Sequence, residues 1–369
     1  MYKFSTVKNI VFGAGALEKL GAIVPPEVRV LVISGQSARR NGVIDRLQAL
    51  LAPRAVKVYD RVQPEPTIQQ VDEVRSLART WGAEAIVAVG GGSVLDVGKV
   101  TAAAAGTDLP TAEFFYNRAV LPAAGCFMAA LPTTAGTGAE VTPNGVFTDC
   151  ASNIKQSIRG GSILPTAALI DPLLTVDCPP AVTAASGLDA LTQGIESYIA
   201  RNSNHLTRAL AMQGVKLIDC SIEKACNNGQ DITARSDMSE GTVLGALAFA
   251  VSGLGAVHGL AHPLGARLHL PHGLICGVLL PVILRWNSVC CQARLDELAA
   301  FLGYERGDKL IERVEQLLEK FQIQRRLSVY GLQTSDFDYV IKNSRSGSMR
   351  ANCRDLSDAD LLQILQEMY

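Results

Sequence analysis

Four of the chain's five histidines, His258, His262, His269 and His272, fall within fifteen residues. His258 and His262 are four apart, so a helix would put both on one face. His272 follows Pro271 at the far side of a Gly-containing loop and can fold back toward them. Upstream, the segment Gly187 to Glu196 places Asp189 and Gln193 on one face of an otherwise apolar helix. A carboxylate on such a face needs a compensating partner, and a divalent cation held together with imidazoles supplies one. A catalytic metal site needs protein ligands plus an open position for a substrate oxygen. Asp189, His258 and His272 meet that need, with Gln193 as a weak fourth oxygen. Such a cation would lower the pKa of an alcohol, steady the developing negative charge and orient the reacting carbon. Taken singly, each histidine reads better as a satisfied core residue; the cluster together with Asp189 is what points to metal. Gly259 and Leu260 follow His258, so the metalloprotease pattern H-E-x-x-H is absent and hydrolysis by that route is excluded.

A second group of residues suits phosphate. Ala85 to Val89 reads as a strand that runs through Gly90, Gly91 and Gly92 into a helix carrying Ser93, Asp96 and Lys99. Consecutive glycines let a phosphate approach the backbone, and the amides of a helix start supply unpaired donors. The dinucleotide pattern G-x-G-x-x-G is incomplete, because its last glycine would fall on Leu95. The stretch Leu131 to Glu140 follows another strand and gathers Thr133, Thr134 and Thr137 around Gly136 and Gly138. After the first strand signal come Gly35, Ser37, Arg39 and Arg40. An acidic residue there would bind the adenosine ribose and repel a 2′-phosphate, whereas Gly35 leaves room and an arginine can neutralise the charge. The pattern favours NADP, with NAD as the alternative.

The elements that must position these groups change character along the chain. Through about residue 180, β-branched runs at Val28 to Ser34, Val56 to Tyr59, Ala85 to Val89, Cys126 to Leu131 and Ala168 to Asp171 alternate with amphipathic stretches. That is the rhythm of parallel strands with crossover helices, and Ile68, Val71, Val74, Leu77 and Ala78 mark one such helix over 67–81. After Pro179 and Pro180, Ala and Leu recur at helical spacing through 181–200, 206–227 and 232–253, with few strand signals. The expectation is an α/β dinucleotide-binding domain over 1–180 and an all-α helical domain over 181–369, with the active site in the cleft between them. Gly303 to Lys309 reads as a loop, and Ser357 as the N-cap of a final helix.

Composition bounds the partners. With 34 basic and 35 acidic residues, the formal charge of -1 leaves no footprint for nucleic acid or an anionic membrane. Apolar runs are broken by Gly, Pro or charge before the roughly 18 residues of a spanning helix, and the N-terminus lacks the features of a secretory signal. Nine cysteines without a Cys-x-x-Cys pair fit reduced, mostly buried thiols. The chain is expected to be cytoplasmic, with a small-molecule substrate and neither nucleic acid nor membrane as partner.

These residues together resemble the iron-containing, or group III, alcohol dehydrogenases. The likeness runs from Ile10 to Gly15 through Gly90 to Lys99, Pro132 to Gly138, Gly187 to Tyr198, Val257 to Ala266 and Pro271 to Gly273. It implies a Rossmann-like N-terminal domain and a helical C-terminal domain, the architecture shared with dehydroquinate synthase, and a divalent metal, Fe(II) or Zn(II). By this resemblance Asp189, His258 and His272 are metal ligands, and His262 is a non-ligand histidine near the reacting carbon that relays a proton. Gly91, Gly92, Ser93 and Asp96 would lie along the diphosphate and nicotinamide, with Thr133, Thr134, Thr137, Asn144 and Lys155 also on the cofactor side. Phe249 would line the substrate pocket, and a homodimer follows by analogy.

The chain departs from that pattern twice. Gln193 stands where the family usually has a histidine ligand, which leaves the metal open, and Gly35 replaces the ribose-binding acid of NAD-preferring members. The implied activity is hydride transfer between NAD(P)H and a small alcohol or aldehyde. The alternatives are a reductase of a specialised substrate of the maleylacetate, glycerol or phosphonate aldehyde type, and a non-catalytic nucleotide-binding protein. A lyase of the dehydroquinate synthase kind would need basic residues near His258, where Ala, Leu, Gly and Phe dominate instead.

Overall fold

The structure is a computed structural model that describes residues 1–152 and 154–369. It divides into two compact units, Ser5–Cys178 and Pro179–Tyr369, the latter joined by Met1–Phe4.

The first unit is built on strands β1 (Asn9–Phe12), β2 (Val30–Ser34), β3 (Val56–Tyr59), β4 (Ala85–Gly90), β5 (Phe127–Pro132) and β8 (Ala167–Ile170), with a separate antiparallel hairpin of β6 (Asn144–Asp149) and β7 (Ile154–Arg159). The six strands form one parallel sheet in the order β1-β8-β5-β4-β2-β3. Every residue of β2 and β4 is buried, as a sheet covered on both faces requires. One core on Leu31, Ile33, Ile86 and Ala88 and another on Val30, Val32, Val87 and Val89 show the strands alternating between two apolar layers. From β3 at the edge the chain crosses β2 to enter β4, so the direction of winding reverses between β2 and β4. Loops at the carboxyl ends of such neighbouring strands form the usual ligand crevice of doubly wound sheets.

Local chemistry sets the crossover helices. In the Ile68–Trp81 helix the Thr67 side chain caps the start by accepting from Gln70 N, and Gly82 ends it at φ 71°. Ile68, Val71, Val74 and Ala78 are its buried stripe. Neither β1 nor the hairpin was expected. β1 is an edge strand with three of four residues exposed, and the hairpin strands mix polar residues into a half-buried alternation, so neither shows a β-branched run.

A buried lysine ties the hairpin to the glycine-rich helix. Lys99 pairs with Asp96 at 2.9 Å and donates to the carbonyls of Ala139 at 2.8 Å, Thr142 at 3.3 Å and Asn144. Asp96 accepts from Val146 N at 2.9 Å. Burial raises the Asp96 carboxyl, and Lys99 opposes that shift. Glu140 lies in the same layer, its carboxyl pushed up to about 7 by burial. Removing one partner of a buried pair strands the other charge. Lys99→Met should therefore cost about 3–5 kcal/mol, read as a lower denaturant midpoint at unchanged slope.

The second unit is helical: Pro180–Ile199, His205–Asn227, Ile232–Ser252, Ala256–Leu268, His272–Leu302 and Gly307–Lys320 are its longer members. Glycines let them approach closely. A Cβ on Gly214 would lie 2.7 Å from the Gly241 carbonyl oxygen, and one on Gly273 only 2.0 Å from that of Ala185. Ser357 caps the last helix in a capping box with Asp360. The Gly303 to Lys309 stretch is shorter as a loop than its polarity implies, because Gly303 ends one helix at φ 93° and the next begins at Gly307. The apolar run of His272–Leu302 continues through Gly277 and Pro281, contrary to the expectation that such breaks end it. By length and composition alone it could cross a membrane, yet 61% of its most apolar window is buried inside the fold. The nine cysteines are all free.

Candidate functional site

The Pro180–Ile199 helix carries Asp189, Gln193 and Glu196 at intervals of four and three, one face of the helix. All three are buried, at 3%, 4% and 1% exposure, on a helix that also buries Leu188, Leu191 and Ile195. Asp189 Oδ1 and Gln193 Oε1 have no hydrogen-bond partner. Buried oxygens of this kind are costly unless something unseen satisfies them.

Two further helices bring nitrogen and sulfur to these oxygens. His258 Nε2 lies 3.3 Å from Asp189 Oδ1, without the alignment of a hydrogen bond. Its Nδ1 is 2.6 Å from Glu196 Oε2, while Glu196 Oε1 accepts from Val257 N at 2.7 Å. That carboxylate fixes the imidazole with Nδ1–H toward Glu196, so Nε2, which faces Asp189, is the nitrogen open to a metal. Gly255 permits the approach, since a Cβ there would sit 2.6 Å from Glu196 Oε1. His272 opens the next helix, its ring stacked on His262 at 5.2 Å and edge-on to His258 at 5.4 Å. Ligand atoms of Asp189, His258, His272 and Cys276 all lie within 4.8 Å of one another. Burial alone would lower the His258 pKa, but Cys276, Asp189 and Glu196 raise it well above the ordinary value. Burial pushes the Cys276 thiol up to about 12. The pocket is thus shaped and charged for a cation, and its donors fit a divalent metal.

Of the four clustered histidines, His258, His262 and His272 gather, whereas His269 is the exposed C-cap of Ala256–Leu268 at φ 53°. The turn back to His272 is made there, not at a glycine. Helix Ala256–Leu268 runs straight through Pro263 and Gly265, and a left-handed residue with Pro271 reverses the chain. Phe249 lies half-buried on Ile232–Ser252, its carbonyl accepting from Gly253 N at 2.9 Å. Glu196 and Cys276 were missed in the sequence. Glu196 continues the Asp189 and Gln193 stripe by one turn, and Cys276 follows His272 by four, so helical spacing was the available signal for both.

In the first unit, the three phosphate-suited segments leave the carboxyl ends of neighbouring strands β2, β4 and β5. Thr133 N donates to the Gly90 carbonyl at 3.0 Å, binding two of the loops together. A Cβ on Gly92 would lie 2.7 Å from Thr137 Cγ2, and one on Gly91 would lie 3.4 Å from Thr134 Oγ1. Gly35 approaches the same place, 3.9 Å from Val94 Cγ2 by the same measure. Gly91 caps the Gly92–Ala103 helix without a side chain, and Ser93 sits half-buried in its first turn. The cradle fits a diphosphate that must touch backbone.

The remaining predicted residues are already engaged. Asn144 gives its carbonyl to Lys99, and Asp96 is held by Lys99 and Val146 N. Lys155 pairs with Glu65, though its charge also reaches Asp96. Arg39, with Ser37 on the short helix Gln36–Arg40, is paired with Asp60, so a 2′-phosphate would have to compete for it; Arg40 is exposed.

Comparisons with known proteins agree with both halves. A family model described as iron-containing alcohol dehydrogenase matches residues 7–172, and one described as the C-terminal part of the Fe-containing alcohol dehydrogenase family matches 183–369. Alcohol dehydrogenase 4 of Saccharomyces cerevisiae (strain YJM789) is 35% identical over 345 residues, covering 90% of this chain and 89% of the relative. The crystal structure of a 1,3-propanediol oxidoreductase superposes with a TM-score of 0.94 at 30% identity, covering all of both chains. That of a sulfoacetaldehyde reductase from Bifidobacterium kashiwanohense, in complex with NAD+, gives 0.94 at 27% identity, covering 100% of this chain and 98% of the other.

Supporting residues behind a ligating histidine typically matter about 10–100-fold in metal affinity. Glu196→Gln should weaken divalent metal binding by about that factor, measured by competition with a chromophoric chelator, while leaving the fold intact by circular dichroism.

Proposed function

The chain belongs to the iron-containing alcohol dehydrogenase family, and on that premise we propose that Asp189, His258 and His272 hold its divalent metal while the Gly91, Gly92 and Thr137 cradle holds NAD(P). The protein is a metal-dependent oxidoreductase of alcohols and aldehydes. The observation that carries the site assignment is the convergence of carboxylate, imidazole and thiol donor atoms within 4.8 Å on a buried face. When bound, the metal polarises an alcohol or carbonyl oxygen and the nicotinamide gives or takes the hydride.

The chain's own residues do the rest. Asp189 brings negative charge to the cation, and Glu196 holds His258 in the tautomer that binds through Nε2. Gly91 and Gly92 keep side chains out of the diphosphate's path, while Ser93 and the threonines of the neighbouring loop offer hydroxyls. Asp96, locked by Lys99, gives the nicotinamide end of the cradle a fixed wall. His262, stacked on His272, is positioned to take up the proton released when an alcohol is oxidised and to return it in the reverse direction. By family resemblance Phe249 is assigned to the substrate pocket and the chain to a homodimer.

NADP is the preferred cofactor in this reading, because Gly35 offers no carboxylate to a ribose and no repulsion to a 2′-phosphate. Arg40 is the more available of the two arginines, since Arg39 is committed to Asp60. The physiological substrate class is a small alcohol or aldehyde.

The test is turnover of chelator-stripped protein reconstituted separately with Fe(II), Zn(II), Mn(II) or buffer, offered NADPH and NADH with short aldehydes. Metal-dependent oxidation favouring NADPH is expected; equal activity without metal would refute the assignment, and a clear NADH preference would refute the cofactor reading alone. His262→Ala should lower kcat by about 100-fold with metal content unchanged and the pH profile altered. Full turnover with an unaltered profile would remove His262 from proton transfer.

A further inference from the structure

We propose that Cys276 is the fourth protein ligand of the metal centre, bound as a thiolate, and that this ligand set selects zinc over oxygen-preferring ions such as Mn(II). The inference rests on the assignment of Asp189, His258 and His272 as ligands and adds to it an atom of different chemistry. Cys276 lies one turn beyond His272 on the His272–Leu302 helix, so both side chains leave the same face. Its Sγ is 3.6 Å from His272 Nε2 and 3.9 Å from His258 Nε2, and His258 Nε2 is 3.3 Å from Asp189 Oδ1.

Those separations are edges of a coordination polyhedron. Zinc bonds of about 2.0–2.1 Å to nitrogen or oxygen and about 2.3 Å to sulfur, at near-tetrahedral angles, put N and O about 3.4 Å apart and S and N about 3.6 Å apart, and a substrate oxygen would join as a fifth ligand, as catalytic zinc allows. The Cys276–His272, Cys276–His258 and His258–Asp189 separations stand near these distances, and the remaining ones lie within 4.8 Å.

Charge and softness point the same way. Asp189 alone offers a divalent ion one negative charge in direct contact, and Glu196 is spent on His258 Nδ1 and Val257 N. Gln193 adds only a neutral amide oxygen. A Cys276 thiolate supplies the second charge, so that ion and direct ligands are neutral together, as a site this deeply buried favours. Binding exchanges the thiol proton for the metal, and the proton leaves to solvent; no electron is transferred. A thiolate with two imidazoles suits Zn(II), whereas oxygen-rich sites suit Mn(II) and Mg(II).

The experiment uses the full chain, stripped of metal and loaded anaerobically with Co(II). Wild type should bind one Co(II) per chain and show a near-ultraviolet thiolate-to-cobalt charge-transfer band. Cys276→Ser should still bind Co(II) but lose that band, and its Zn(II) affinity should fall by at least about tenfold while Mn(II) affinity changes little. Because the variant could fail to fold, zinc-edge X-ray absorption on wild type provides an independent reading, with a sulfur neighbour expected at about 2.3 Å. Stoichiometric cobalt without the band, or a zinc shell of nitrogen and oxygen only, overturns the thiolate and leaves the Asp189, His258 and His272 assignment standing. Failure to bind Co(II) or Zn(II) at all overturns that assignment and this inference with it.

Discussion

A carboxylate inside a helical bundle must be neutralised, and Asp189 Oδ1 meets His258 Nε2 at 3.3 Å without a hydrogen bond that satisfies it. Its helix buries Asp189, Gln193 and Glu196 on one face, and everything near that face is arranged around their demand. Glu196 is satisfied by protein, through His258 Nδ1 and Val257 N. Asp189 Oδ1 and Gln193 Oε1 are not. In the proposed site this asymmetry separates a group that would orient a ligand from groups that would face the ion. It also explains the glycines: Gly255 lets Val257 and His258 reach Glu196, and Gly273 lets the helix bearing His272 and Cys276 lie against Ala185 and Asp189. A methyl group at Gly273 would strike the Ala185 carbonyl oxygen at 2.0 Å and force that helix contact apart.

The nucleotide unit solves a different problem with the same residue type. A diphosphate is recognised by backbone, so the side chains must be cleared from its path. In the proposed cofactor site Gly91 and Gly92 do this at the end of β4, and the loop after β5 packs threonines against them. The rigidity comes from Lys99, which closes the Asp96 carboxylate and three carbonyls into one buried network joining the glycine-rich helix to the hairpin. A lysine adjacent to a phosphate-suited loop is thus internal to the scaffold here.

Much of this was legible in the linear chain because it depends on local periodicity. The capped helix 68–81, the strand-glycine-helix turn at 85–99 and the change to helical spacing after Pro179 each follow from residues near one another in sequence. So does the pairing of His258 with His262 on one face. The edge strand β1 and the hairpin escaped notice because their stability comes from partners far along the chain, Ala167 to Ile170 for the one and the Gly92–Ala103 helix for the other.

Residue types and short-range spacing therefore determined the fold class and pointed to the two chemistries and to most of the residues proposed for them. Which donors share one pocket was decided only by tertiary packing. His269 has the same chemistry as its three neighbours but lands on an exposed left-handed cap. Cys276, unremarkable among nine cysteines, is carried by a glycine-cleared helix contact to within 3.6 Å of His272 Nε2. Arg39, suited by type to a phosphate, is taken by Asp60 from the adjoining strand end. The physical reason is common to all three: coordination and ion pairing act over a few ångströms between atoms distant in sequence, and only the closure of helices and strands upon one another fixes those distances.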